Sequence, residues 1–201
     1  MHKFFILGKS EQTRAFIIEK TAPLFNTKGY AGTSISDVTE ATGLTKGSVY
    51  GNFENKDEVA LAAFDHNWKQ VNSVLSAEIA KRSSITEKLL AYGVVYSDFS
   101  AYHLPLGGCP LLNTATEADD THPELKKKVV KALHAWKKNL AGLIEKGKEV
   151  KEFKKSTNAE QAALTIIALI EGCILITRVT GNKTYRSMLI DALTQYIHSM
   201  K

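Results

Sequence analysis

Cysteine is nearly absent from this chain: Cys109 and Cys173 are the two in 201 residues, and no Cys-x-x-Cys spacing joins them. A disulfide framework and a thiolate zinc site are thereby excluded, and a reducing cytoplasm suits the pair. Histidine is no better arranged. The six are scattered with neither His-x-x-x-His nor His-Glu-x-x-His spacing, and no Gly-x-Ser-x-Gly elbow supplies a nucleophile. Gly8-Lys9-Ser10 mimics the end of a phosphate-binding loop, but Lys3 stands where that loop needs its first glycine and no strand precedes it. The residues therefore offer no catalytic site, no metal site and no cofactor site. Long apolar runs are missing as well. The patch at residues 4–7 is far shorter than a secretory apolar region of about 7 to 15 residues. The most hydrophobic window, residues 162–177, falls short of the roughly 20 apolar residues of a membrane span and contains Glu171. We expect no export and no membrane, only a buried helix at that window.

Alternating apolar and polar residues are also lacking, and every segment with a clear period has the helical one. The expected fold is all-α, with about nine helices near residues 11–28, 34–42, 46–53, 55–81, 85–102, 111–118, 123–149, 159–179 and 185–201. Only one of the four prolines, Pro23, falls well inside a helical segment, where it removes a hydrogen bond and predicts a bend. Residues 1–54 read as one domain and residues 55–201 as a second.

Residues 33–56 carry the most information. Ser34 caps a helix with Asp37 reaching back, Gly43 ends it where a left-handed residue is needed, and Thr45 caps the next helix. That next helix is too short to stand alone in water, so Val49 and Phe53 must pin it to a scaffold. Its opposite face carries Gly47, Ser48 and Gly51, flanked by Lys46, Tyr50 and Asn52. Each glycine costs a helix about 1 kcal/mol relative to alanine, so a nearly bare face implies that something approaches the backbone closely. A helix-turn-helix placing this face in a DNA groove meets the requirement. The candidate DNA-binding residues are Thr33, Ser34, Thr45, Lys46, Gly47, Ser48, Tyr50, Gly51, Asn52 and Lys56.

The run from Gly43 to Tyr50, GLTKGSVY, followed by Phe53 and Asn55-Lys56 and preceded by Phe25, Gly29-Tyr30 and Thr33, resembles the DNA-binding signature of TetR-family transcriptional regulators. The resemblance is strong over about residues 10–60 and architectural beyond them. It implies that Ser34, Tyr50 and Lys56 touch phosphate, whereas Lys46 and Gly47 approach bases. Gly51-Asn52 departs from the family, which often has two bulky residues there. The Gly107-Gly108-Cys109-Pro110 turn is similar to one in a subgroup of the family. The resemblance also implies a repressor that a small-molecule inducer releases from a palindromic operator. A DNA-binding dimer without a ligand response and, more remotely, a small-molecule enzyme stay open.

Charge adds little. The formal charge is +5, yet residues 1–66 hold seven Lys and Arg against eight Asp and Glu. The excess lies in residues 124–155, with eleven lysines against four glutamates, and reads as a solvated face.

Two further sites are expected. The last two helices are apolar enough to need a neighbour beyond their own subunit, which points to a homodimer through Ile166, Ile170, Ile174, Met188, Leu189, Leu193 and Tyr196. A sensor pocket for an unknown small-molecule inducer is expected from Trp68, Tyr92, Tyr96, Phe99, Cys109, Asn113, Trp136 and Glu171, with Glu117 and Arg178 as further polar contacts. Cys109 is open to three roles: pocket wall, thiol sensor at a helix N-terminus, or inert packing residue.

Overall fold

The computed structural model describes residues 8–201, without the side chain of Leu189; the apolar patch at residues 4–7 lies outside them. Helix starts are set by small polar side chains that accept a hydrogen bond from the first free amides. Ser34, Thr45, Asn55, Ser84, His122 and Asn158 each do so. The resulting helices are α1 (Lys9–Lys28), α2 (Ile35–Thr42), α3 (Lys46–Tyr50), α4 (Lys56–Ala80), α5 (Ile85–Ser97), α6 (Pro110–Thr121), α7 (Pro123–Glu149), α8 (Ala159–Thr180) and α9 (Thr184–Ser199). Among the described residues the architecture is all-α with nine helices.

Several ends differ from those expected. α3 stops at Tyr50, and residues 51–53 continue as a turn in which the amides of Asn52 and Phe53 both reach the Val49 carbonyl. α5 stops at Ser97 because the Asp98 carboxylate takes the Ala101 amide and turns the chain. Pro23 sits inside α1, which continues to Lys28; beside it the Asn67 amide of α4 donates to the Ala22 carbonyl at 2.9 Å.

Two hydrophobic clusters hold these helices together. The smaller unites Ile17, Val38, Val49, Phe53 and Val59, from α1, α2, α3, the following turn and the first turn of α4. The larger fills the space between α4 and α9, from Phe64 to Met200, with Leu89, Leu140, Ile144 and Ile166 at its centre. α4 contributes to both.

α8 is long and apolar enough to cross a membrane by composition, but here it packs between α7 and α9. Its phase decides which of its apolar residues point outward. Ile166, Ile170 and Ile174 are buried in their own subunit's core, and so is Leu193 of α9; none is free to meet a partner. A helix apolar on all sides gives no periodic signal to choose its inner face. The outward residues are Leu164, Leu175, Ile176 and Val179, with Met188 exposed and Tyr196 half-buried on α9. The Leu189 side chain lies outside what is described.

Phe53 is 2 % exposed and anchors the turn after α3. We expect Phe53→Ala to destabilise the protein by about 3–5 kcal/mol in urea unfolding. A loss below about 1 kcal/mol would contradict the anchoring role.

Candidate nucleic-acid interface and its connection to the helical body

The helix-turn-helix is fixed at each corner by a short-range bond. Ser34 Oγ accepts from the Asp37 amide at 3.1 Å, while Asp37 receives the Ser34 amide at 2.7 Å and the Lys28 ammonium at 2.6 Å. Lys28 and Ser34 hold the Asp37 carboxyl well below the usual carboxylate range. Gly43 takes φ 67° and returns its amide to the Thr39 carbonyl, closing α2. Thr45 Oγ1 then accepts from the Ser48 amide at 3.1 Å and opens α3.

Val49 and Phe53 face inward, and Thr45, Lys46, Gly47, Tyr50 and Gly51 face solvent. The Lys46 ammonium lies 5.8 Å from the centre of the Tyr50 ring. A Cβ at Gly47 would meet nothing closer than Thr45 Oγ1 at 3.9 Å, and one at Gly51 would meet only carbonyls of α3 itself. Neither glycine is walled in, and neither has positive φ. Nothing among the described residues requires glycine at position 47.

Other expected contact residues serve the fold. Thr33 is fully buried, and its hydroxyl donates to the Gly29 carbonyl at 2.7 Å. Its place in the tight turn before α2 removes its side chain from any DNA surface. Asn52 is half-buried and bonded on both sides of its amide: it donates to the Ser48 carbonyl at 2.9 Å and accepts from Ser10 at 3.3 Å. Arg14 completes this bracket, donating to the Asn52 carbonyl and to Glu58 while lying 4.0 Å over the Phe53 ring. Lys56 donates to the Tyr30 carbonyl at 2.9 Å and the Thr33 carbonyl at 3.1 Å, and sits 4.0 Å over the Tyr30 ring. A phosphate would compete for it with this corner. Ser34 is exposed and Ser48 half-buried.

The connection to the body runs through α6, and sequence reasoning missed it. Glu117 accepts the Tyr30 and Ala31 amides, each at 2.7 Å, across the turn between α1 and α2. Asn113 donates to the Asn26 carbonyl at 2.9 Å and the Gly107 carbonyl at 2.8 Å, so it clasps α1 and does not line a pocket. Asn26 in turn donates to the Leu106 and Gly108 carbonyls. Arg178 of α8 donates to Asn113 Oδ1 at 3.1 Å, completing a chain of bonds from the body to α1. The Tyr30 hydroxyl bonds to Asp57, which with burial pushes its pKa up to about 12.

The expected aromatic residues do come together. Trp136 stacks against Tyr96 at 5.5 Å and Tyr92 at 6.4 Å, with Trp68 at 6.0 Å, and Phe99 follows Tyr96. Beside them Cys109 Sγ donates to Glu171 Oε1 at 3.0 Å. Cys109 is fully buried, and burial together with Glu171 pushes its thiol pKa up; the helix N-terminus does not make it a thiolate. Among the described residues, Trp136 Nε1 and Glu171 Oε2 are buried without a hydrogen-bond partner.

Comparison with known proteins finds two family models along the chain. Residues 17–63 match the family model described as bacterial regulatory proteins, tetR family, and residues 86–193 match the tetracyclin repressor-like C-terminal domain. An uncharacterized HTH-type transcriptional regulator in the lacX 3' region of Lactococcus lactis subsp. lactis is 31% identical, covering 90% of this chain and 91% of the relative. The HTH-type transcriptional repressor DhaR of Mycobacterium sp. (strain GP1) is 23% identical, covering 85% and 84%. A TetR-family regulator from Cytophaga hutchinsonii superposes with TM-score 0.94 at 52% identity, covering 97% of this chain and 98% of that one.

Burial raises the Glu171 pKa from 4.5 to about 7. A carboxyl that binds its proton more tightly when folded stabilises the fold fully below pH 4.5, and that contribution is lost as pH rises towards 7. Glu171→Gln has no charge to bury. We expect it to match the parent in urea unfolding at acid pH and to exceed it at about pH 8 by on the order of 3 kcal/mol. A gap that does not widen with pH would contradict this.

Proposed function

The chain belongs to the TetR family of DNA-binding transcriptional regulators, and from that premise we propose a homodimeric repressor that a small-molecule inducer releases from a near-palindromic operator. The carrying observation is the open, side-chain-free surface at Gly47, set between Lys46 and Tyr50. Base edges or sugar-phosphate backbone can approach such a surface to van der Waals contact, while Lys46, Tyr50, Ser34 and Ser48 supply polar contacts at its margins. Residues 1–54 form the reader and residues 55–201 the sensing and dimerising part, in keeping with the two hydrophobic clusters, although the first turn of α4 packs with the reader.

The exposed apolar row Leu164, Leu175, Ile176, Val179 and Met188 supports dimerisation through α8 and α9. Two readers would then meet half-sites about one DNA turn apart, roughly 34 Å or somewhat more. The named repressor DhaR among the relatives favours repression. Release follows from linkage: an inducer that binds better when α6 no longer holds α1 in its DNA-bound setting lowers operator affinity by the factor by which DNA lowers inducer affinity. The reading places the protein in the cytoplasm and assigns it no catalysis.

Gly47→Leu tests the carrying observation. The protein itself has room for the side chain, so its thermal midpoint should stay within a few degrees of the parent. Operator binding, measured by gel shift on fragments recovered from cells, should fall by at least about a hundred-fold, since intrusion into a close-packed interface costs several kcal/mol. Unchanged operator affinity would overturn the proposed contact surface.

A further inference from the structure

A groove of about 280 Å³ opens where the end of α5, the loop before α6, the C-terminal half of α8 and the start of α9 meet. That is near the lower end of ligand-pocket volumes, enough for a small molecule but not for a nucleotide. Its walls are apolar: the rings of Tyr96 and Phe99, 5.7 Å apart and tilted by 60°, with Ile174 and Cys173. Its rim is cationic. Arg178 and Arg186 both line it, and among the described residues neither forms a salt bridge.

The loop is shaped around one of these guanidinium groups. Gly107 and Gly108 take φ of 97° and 95°, and a Cβ at Gly108 would come within 2.7 Å of Arg178 Nη1. Arg178 makes a single side-chain bond, to Asn113, which leaves most of its donors unused. The guanidinium of Arg186 has no hydrogen-bond partner among the described residues and lies close enough to Cys173 to favour its thiolate against the effect of burial. Two cations without a carboxylate partner among the described residues line one mouth, and an anion held there gains charge-assisted bonds.

We propose that this groove binds a small monocarboxylic acid, its carboxylate between Arg178 and Arg186 and its apolar body against Tyr96, Phe99 and Ile174. The proposal rests on the inducer reading above and names the chemical class of the inducer. It also supplies a route of release. Arg178 is the end of the bond chain through Asn113 to Asn26 of α1, so a carboxylate that draws its guanidinium into the groove takes Nη1 from Asn113 Oδ1 and loosens the hold on the reader.

The test uses the full chain without DNA, titrated with octanoate and phenylacetate, with octanol and phenylethanol, and with inorganic phosphate. Tryptophan fluorescence reports binding, because Trp136 stacks on Tyr96 of the groove wall. Both acids should bind at least about ten-fold more tightly than the matching alcohols, and phosphate, which has no apolar body, should not saturate. Arg186→Gln and Arg178→Gln should each weaken acid binding by about ten-fold or more and leave the alcohols unchanged, with helical circular dichroism confirming the fold. Equal binding of acid and alcohol, saturation by phosphate, or acid binding indifferent to both arginines overturns the site. These outcomes leave the DNA-reading assignment untouched, since no operator is present. Acid that binds through both arginines yet leaves operator affinity unchanged in a separate gel shift overturns the release route and the inducer reading, while the binding site stands.

Discussion

One carboxylate spanning two main-chain amides ties the DNA-reading part of this molecule to α6. Glu117 of α6 holds the amides of Tyr30 and Ala31 in the turn that joins α1 to α2. Those amides lie just beyond the end of α1 and before the cap of α2, where main-chain donors have no helical partner. A charge-assisted bond to each is stronger than a neutral one and fixes direction as well as distance. Asn113, one turn earlier on α6, secures the neighbouring Asn26. The cluster of Ile17, Val38, Val49, Phe53 and Val59 is small, and clusters of that size hold little stability alone. The orientation of α3 is therefore borrowed from α6 and α4.

This arrangement explains where the chemistry of DNA contact resides. The protein is basic overall, but its excess lysines lie on α7 and the turn after it, many of them paired: Lys127 with Glu124, Lys148 with Glu145, Lys137 with Glu160 and Lys128 with Asp65. They form a solvated face away from α3. In the proposed reading, binding comes from shape, at the open helix surface around Gly47, and from a few polar groups at its edge. Phosphate contacts position such a protein and base contacts specify its site, so a small, rigidly aimed surface matters more than total charge.

Much of this was legible in the sequence. The caps at Ser34, Thr45 and Asn55 and the left-handed Gly43 are local signals, readable because each bond spans only a few residues. The inward Val49 and Phe53 and the open Gly47 followed from helical period alone. Three things were not legible. The inner face of α8 had no periodic signal because apolar residues surround that helix. Thr33, Asn52 and Lys56 were read as contact residues because their types suit DNA, whereas each also bonds within the fold, which their types do not announce. The clasp joins residues more than 80 positions apart, such as Asn26 to Gly108 and Tyr30 to Glu117, and no local pattern announces such a pair.

The central claim is that α6 transmits the state of the body to the reader as one mechanical unit. A double-mutant cycle joining the two ends of this connection, Arg178 on α8 and Glu117 on α6, tests this most directly: Arg178→Ala, Glu117→Ala and both together, read as operator affinity. If α6 transmits, the double variant departs from the sum of the single effects by at least about 0.5 kcal/mol. Strict additivity would show that the two ends act independently and would contradict the account.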